Sequence, residues 1–150
     1  MRNSYPPRLS VIKPTPTYTS TPIYTPPQTP TQAQGTLYVT NAFWIVNGVK
    51  VTSVPKNTPV TAHVSIQAVG GSYSGKVTLE VVHDNKGMPD TITKTQNFAV
   101  NLKSGETYDL SVTFVPEYHW YSRGYFLEIS WGGGGWTMPK SYPPRLSVTK

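Results

Sequence analysis

From Thr36 onward, apolar residues fall at every second position in short runs, and each run ends in turn-forming residues. That spacing sends alternate side chains to opposite faces of an extended chain, as a half-buried strand requires. No segment carries the 3.6-residue spacing of an amphipathic helix. Val60, Ala62, Val64, Ile66 and Ala68 share one face, and Val77, Leu79 and Val81 share another. Phe98, Val100 and Leu102 follow, then Tyr108, Leu110, Val112 and Phe114, then Tyr125, Leu127, Ile129 and Trp131. Residues 37–46 read as a first, bent strand. Asn47 and Gly48 make a type I′ hairpin signal, and residues 49–54 continue the alternation. Gly132 to Gly135 read as a flexible loop. Residues 142–148 would be the last strand, and Pro143 and Pro144 suit an edge better than a sheet centre. Seven or eight short strands over about 115 residues predict an all-β antiparallel sandwich.

The stretch up to Gln34 breaks this pattern. It holds eight of the 15 prolines, seven threonines and three tyrosines, and its only charges are Arg2, Arg8 and Lys13. Proline lacks the amide donor and restricts the residue before it, so this stretch cannot be helical. Extended near polyproline II at roughly 3 Å per residue, positions 14–30 would reach about 50 Å. Residues 1–34 are therefore assigned to an extended Pro/Thr-rich arm or linker, and residues 35–150 to the sandwich.

The two ends repeat each other. Positions 4–11 and 141–148 both read Ser-Tyr-Pro-Pro-Arg-Leu-Ser-Val, and Lys13 and Lys150 extend the match to nine of ten. Three explanations stand: a unit from a tandem array with a period of about 137 residues, a strand able to fill one groove from either end, or a duplication without structural role. In the first two the Leu and Val of the peptide alternate onto one face. Arg8 and Arg145 are read as rim contacts or solvated ends, or otherwise as anchors for a carboxylate or an aromatic face.

The segments at 60–66, 75–81 and 102–114 are similar to those of immunoglobulin-like modules of the CARDB or fibronectin type III kind. The last resembles the strand entry common to these modules. The antibody pattern of Cys, Trp and Cys is missing, because the chain has no cysteine. The resemblance implies an immunoglobulin-like sandwich serving as an adhesive, spacer or structural unit, which is an analogy of fold.

No catalytic set is expected. His63, His83 and His119 fall on three separate elements, with His63 on the polar face of its strand. Asp84, Asn85 and Asp90 share one turn and are read as turn-stabilising side chains in preference to a Ca²⁺ site, since Lys86 adds a repelling charge. No cofactor and no metal site is predicted. Thirteen basic against seven acidic residues give a net charge of +6. No basic run marks a nucleic-acid stripe, however, so no nucleic acid is expected. No stretch approaches the length of a membrane-spanning helix, and the N-terminus carries no apolar signal-peptide core.

Two functions follow as expectations. The first is a structural subunit of a virus shell, spike or extracellular filament. Its arm, through Tyr5, Arg8, Leu9, Val11, Tyr18, Ile23 and Tyr24, would contact neighbouring subunits by strand addition. The repeated strand would use Tyr142, Arg145, Leu146 and Val148. The partners would be further copies of the chain or other structural subunits, in a virion or at a cell surface. The second is a carbohydrate-binding or adhesin module of a longer surface protein, with Trp120 and Trp136 as a sugar platform. Tyr118 is a further candidate surface contact.

Overall fold

The computed structural model describes residues 14–17, 19–27, 34–141 and 143–150. The chain divides into two compact units, Met1–Thr31 and Gln32–Lys150. In the first, the described residues form neither helix nor strand and are exposed, as the proline spacing requires.

The second unit is all-β, with no helix among the described residues. Its strands are β1 (Thr36–Val46), β2 (Val49–Val51), β3 (Ser53–Pro55), β4 (Val60–Val69), β5 (Tyr73–Asn85), β6 (Thr91–Leu102), β7 (Thr107–Phe114), β8 (Ser122–Trp131), β9 (Gly134–Thr137) and β10 (Ser147–Thr149). One four-stranded sheet has the order β2-β1-β4-β7 and the other β6-β5-β8-β9. Both are antiparallel throughout. A short parallel pair, β10 with β3, lies beside them.

The alternation read from the sequence is the alternation of burial. Val60, Ala62, Val64, Ile66 and Ala68 are all fully buried, and between them Thr61, His63, Ser65 and Gln67 are half-exposed. Opposite them, Val77, Leu79 and Val81 of β5 and Tyr125, Leu127 and Ile129 of β8 complete the core. The bend in β1 is a bulge between Val39 and Asn41, which returns Ala42 and Trp44 to the core face. Asn47 and Gly48 both have positive φ, as a type I′ turn demands.

Four expectations are corrected. The described residues form ten strands where the spacing predicts seven or eight, because residues 49–55 divide into β2 and β3, and β9 arises inside the glycine run. That run is no flexible loop. Gly132 and Gly133 form a two-residue hairpin turn, with Gly133 at φ 93°, and Gly134 pairs with Trp131. Tyr108, placed inward by its spacing, is 41% exposed although its β4 partner Ile66 is fully buried, since it lies near the start of β7, the edge strand of its sheet. The last strand is shorter than expected, Ser147–Thr149, and it pairs in parallel.

Candidate functional site

The seam between β1 of one sheet and β8–β9 of the other has two unlike halves. β2 pairs only with Trp44–Val46 of β1, so among the described residues the leading half of β1 has no strand paired on that edge. Facing that edge lies a cleft of about 280 Å³ lined by Leu37, Tyr38, Val39, Trp131, Gly135 and Trp136. The trailing half of the seam is closed by the C-terminal residues.

The cleft is built by the glycine hairpin. Trp131 ends β8 on the core-facing side, and Trp136 pairs opposite Ile129 on the same side. Both indoles therefore continue the core outward and remain half-exposed. A Cβ on Gly134 would fall 2.8 Å from the Trp131 indole. Only glycine therefore lets that ring lie against the turn backbone. Tyr38 pairs with Gln67, points away from the core and is 66% exposed at the mouth. On the other flank of Trp131 lies a second hollow of about 430 Å³, with Gln34, Ser74, Lys76, Thr78 and Ser130 among its walls. An apolar slot with flat aromatic walls thus adjoins a wall of neutral hydrogen-bonding groups and one cation.

At the far end of β8 a ladder of stacked rings covers the sandwich. His83 stacks on Tyr125 at 4.4 Å and on His119 at 5.8 Å, and His119 stacks on Tyr121 at 5.1 Å. His83 Nε2 is 2.7 Å from Ser122 Oγ. Burial, reinforced by the neighbouring His119, lowers the His83 pKa below its ordinary 6.5. Burial likewise raises the Tyr125 phenol, whose hydroxyl accepts from Glu117 N at 2.9 Å.

The sequence candidates scatter over these features. Trp120 is 87% exposed beside the ring ladder, while Trp136 sits in the cleft. Ser122 and Ile129, which mark the two positions on β8, are roughly 23 Å apart at about 3.3 Å per residue. They cannot form one platform, so that expectation is corrected: the partners of Trp136 are Trp131 and Tyr38. Tyr118 is half-buried beneath the Lys150 ammonium, 5.9 Å from its ring. Ile23 and Tyr24 are 92% and 82% exposed in the arm. Tyr5, Arg8, Leu9, Val11, Tyr18 and Tyr142 lie outside the described residues. The part of Trp131 was hidden because its spacing marks it as core. Its exposure depends on where the opposite strand ends, which no local pattern records.

Arg145 is neither a rim contact nor a solvated end. It is 3% exposed and forms an ion pair with Asp84. Its Nη1 donates to Arg123 O at 3.1 Å, and the guanidinium lies 5.9 Å from the Phe126 ring. Of the two readings, the anchor is the correct one. Asp84 thus pairs with Arg145 while keeping its side-chain contact with Asp90 of the turn. Asn85 braces the turn, through Pro89 O and Thr91 Oγ1. Burial opposes ionisation of Asp90, but Lys140 at 3.1 Å and the Asn85 N–H outweigh it and hold its pKa below the usual value. Among the described residues no group of three or more His, Cys, Asp or Glu is placed to hold a metal ion.

Two facing antiparallel sheets with an aromatic cleft in their seam define a β-sandwich protein. In structure the chain is similar to the C-terminal domain of wzt, with a TM-score of 0.52 and 15% identity over 81% of this chain and 80% of that one. A weaker similarity, TM-score 0.46 and 7% identity, joins 78% of this chain to 16% of a β-glucosidase from Listeria innocua solved in complex with gluconolactone. No family model matches the sequence, and no curated protein matches it.

Proposed function

We propose that this chain is a non-catalytic carbohydrate-binding module of the immunoglobulin-like kind, displayed at a cell or virion surface. The observation that carries the reading is the half-open seam, where Trp131, Trp136 and Tyr38 line a cleft beside a polar hollow. A pyranose ring presents an apolar C–H face and an equatorial rim of hydroxyls. The first stacks on an indole or phenol, and the second pairs with amide, hydroxyl and ammonium groups. Gln34, Ser74, Thr78 and Ser130 offer those partners around Trp131, and Lys76 adds a cation suited to an acidic sugar. The sandwich type supports the reading only as a fold commonly used for display. The CARDB or fibronectin type III kinship belongs to the same reading and rests on the segments at 60–66, 75–81 and 102–114. The Pro/Thr-rich arm serves as a stalk.

A glycan microarray probed with the labelled chain tests this, followed by titration of hits against intrinsic tryptophan fluorescence. Tyr38→Ala and Trp136→Ala should weaken a hit by about tenfold or more, the order of one lost stacking contact. Trp120→Ala should leave it unchanged. A chain that binds no glycan, or one whose binding follows Trp120, refutes the cleft. Deleting residues 1–31 separates this reading from assembly through the arm, because sugar binding survives the deletion and assembly does not.

A further inference from the structure

The closed half of the seam shows what the duplicated octapeptide does when it is seated. Trp44 Nε1 donates to Pro144 O at 2.8 Å, and Arg145 reaches Asp84 beneath the surface. Leu146 is fully buried and exchanges both backbone hydrogen bonds with Tyr125, each at 2.9 Å. Ser147 N donates to Thr52 O, and β10 then runs beside β3, with Val148 packed against the core. This seat selects a sequence. It needs a carbonyl for the indole, a guanidinium for Asp84, a branched apolar residue for the core, and a strand to follow.

Residues 7–11 supply the same series: Pro7, Arg8, Leu9, Ser10 and Val11. We propose that residues 6–11 of one copy of this chain dock in the seat that residues 143–148 hold in a second copy, an inference independent of sugar binding. Each chain carries one seat and two peptides that fit it, so one peptide is always surplus. Its other matching seat is on another copy. Exchange keeps the contacts of Pro144, Arg145, Leu146, Ser147 and Val148 and gives up only the Thr149 hydroxyl's bond to Val54 O, where the leading copy has Ile12, and therefore costs little in contact energy. Tethering decides the balance: the C-terminal copy is held beside the seat at an effective concentration of order millimolar, so docking between chains grows as protein concentration approaches that range. The resulting contact is head-to-tail and can propagate through successive copies.

The chain has no cysteine, so single substitutions report cleanly. Ser53 is the β3 partner of Ser147, and Ser10 is the counterpart of Ser147 in the leading copy. Full-length Ser53→Cys and Ser10→Cys chains are mixed, unfolded, refolded together at roughly millimolar concentration and oxidised. Neighbouring parallel strands hold paired Cα atoms within disulfide reach, which a chain carrying Ser53→Cys with Ser147→Cys verifies by linking internally. The expected product is a mixed disulfide dimer. Adding Arg8→Ala to the Ser10→Cys chain should cut its yield by at least about tenfold, since Asp84 then loses its cation. No mixed dimer, or a yield indifferent to Arg8, overturns the proposal. So does a chain carrying both Ser10→Cys and Ser53→Cys that links only within itself, because the occupant would then be its own arm.

Discussion

Arg145 and Asp84 form an ion pair across 61 residues of sequence, with side chains 4% and 8% exposed. Taking two charges out of water costs several kcal/mol each, and only mutual attraction with further hydrogen bonds offsets it. Arg145 supplies one of these, to Arg123 O. Breaking the pair strands a buried carboxylate. Arg145→Ala should therefore destabilise the fold by about 3–5 kcal/mol in urea titration. Asp84→Leu combined with Arg145→Met should recover most of that loss. If the single and double variants are equally unstable, the pair is not what holds the C-terminal residues down.

The Trp44 indole is 1% exposed, and its N–H is satisfied by Pro144 O. Trp44→Phe keeps most of the apolar contact and removes the donor. The expected cost is about 1–3 kcal/mol for the orphaned carbonyl and lost volume. Faster amide exchange at Leu146 and Ser147 than at β4 should accompany it. Uniform acceleration over the sandwich would place the effect in the core instead.

Gly134 and Gly132 offer a matched comparison. A Cβ at Gly134 meets the Trp131 ring, whereas one at Gly132 meets nothing within 4 Å. Gly134→Ala should shift the Trp131 indole, change the fluorescence maximum and cost about 1–3 kcal/mol. Gly132→Ala should leave both unchanged within about 0.5 kcal/mol. Equal behaviour of the two variants would show that the hairpin does not set the indole.

Because the folded state lowers the His83 pKa, the unfolded chain binds its proton first as pH falls below 6.5. The stability gained by keeping His83 neutral is complete above that pH and is lost on acidification toward the folded value. The slope cannot exceed about 1.4 kcal/mol per pH unit for one proton. Urea midpoints measured from about pH 7.5 to 5 should fall in the wild type, and His83→Gln should flatten the profile. An unaltered slope in that variant would assign the acid sensitivity elsewhere.

The sandwich was legible because β4, β7, the leading half of β5 and the trailing half of β8 each bury one face, and burial of one face writes itself into the chain as period two. The turn at Asn47 and Gly48 was legible for a local reason, since few residues accept positive φ. β9 was not, because four glycines carry no side-chain period and read as slack. The cleft was missed for a related reason: Trp131 has the spacing of a core residue, and its half-exposure depends on how closely β1 of the other sheet packs over it. Arg145 was ambiguous, because a cation in a proline-flanked peptide is usually solvated and nothing nearby in sequence names Asp84.

Local chemistry, then, was enough to determine the alternating strands, the Asn47–Gly48 hairpin and the identity of the repeated peptide. Alternation, backbone sterics and proline's missing donor act over a few residues, so a linear string records them. Which half of the seam stays open, which carboxylate meets Arg145 and which tryptophans share a cleft were decided only in three dimensions. Those relations depend on how far one sheet overlaps the other, and that overlap is set by the packing of the whole core.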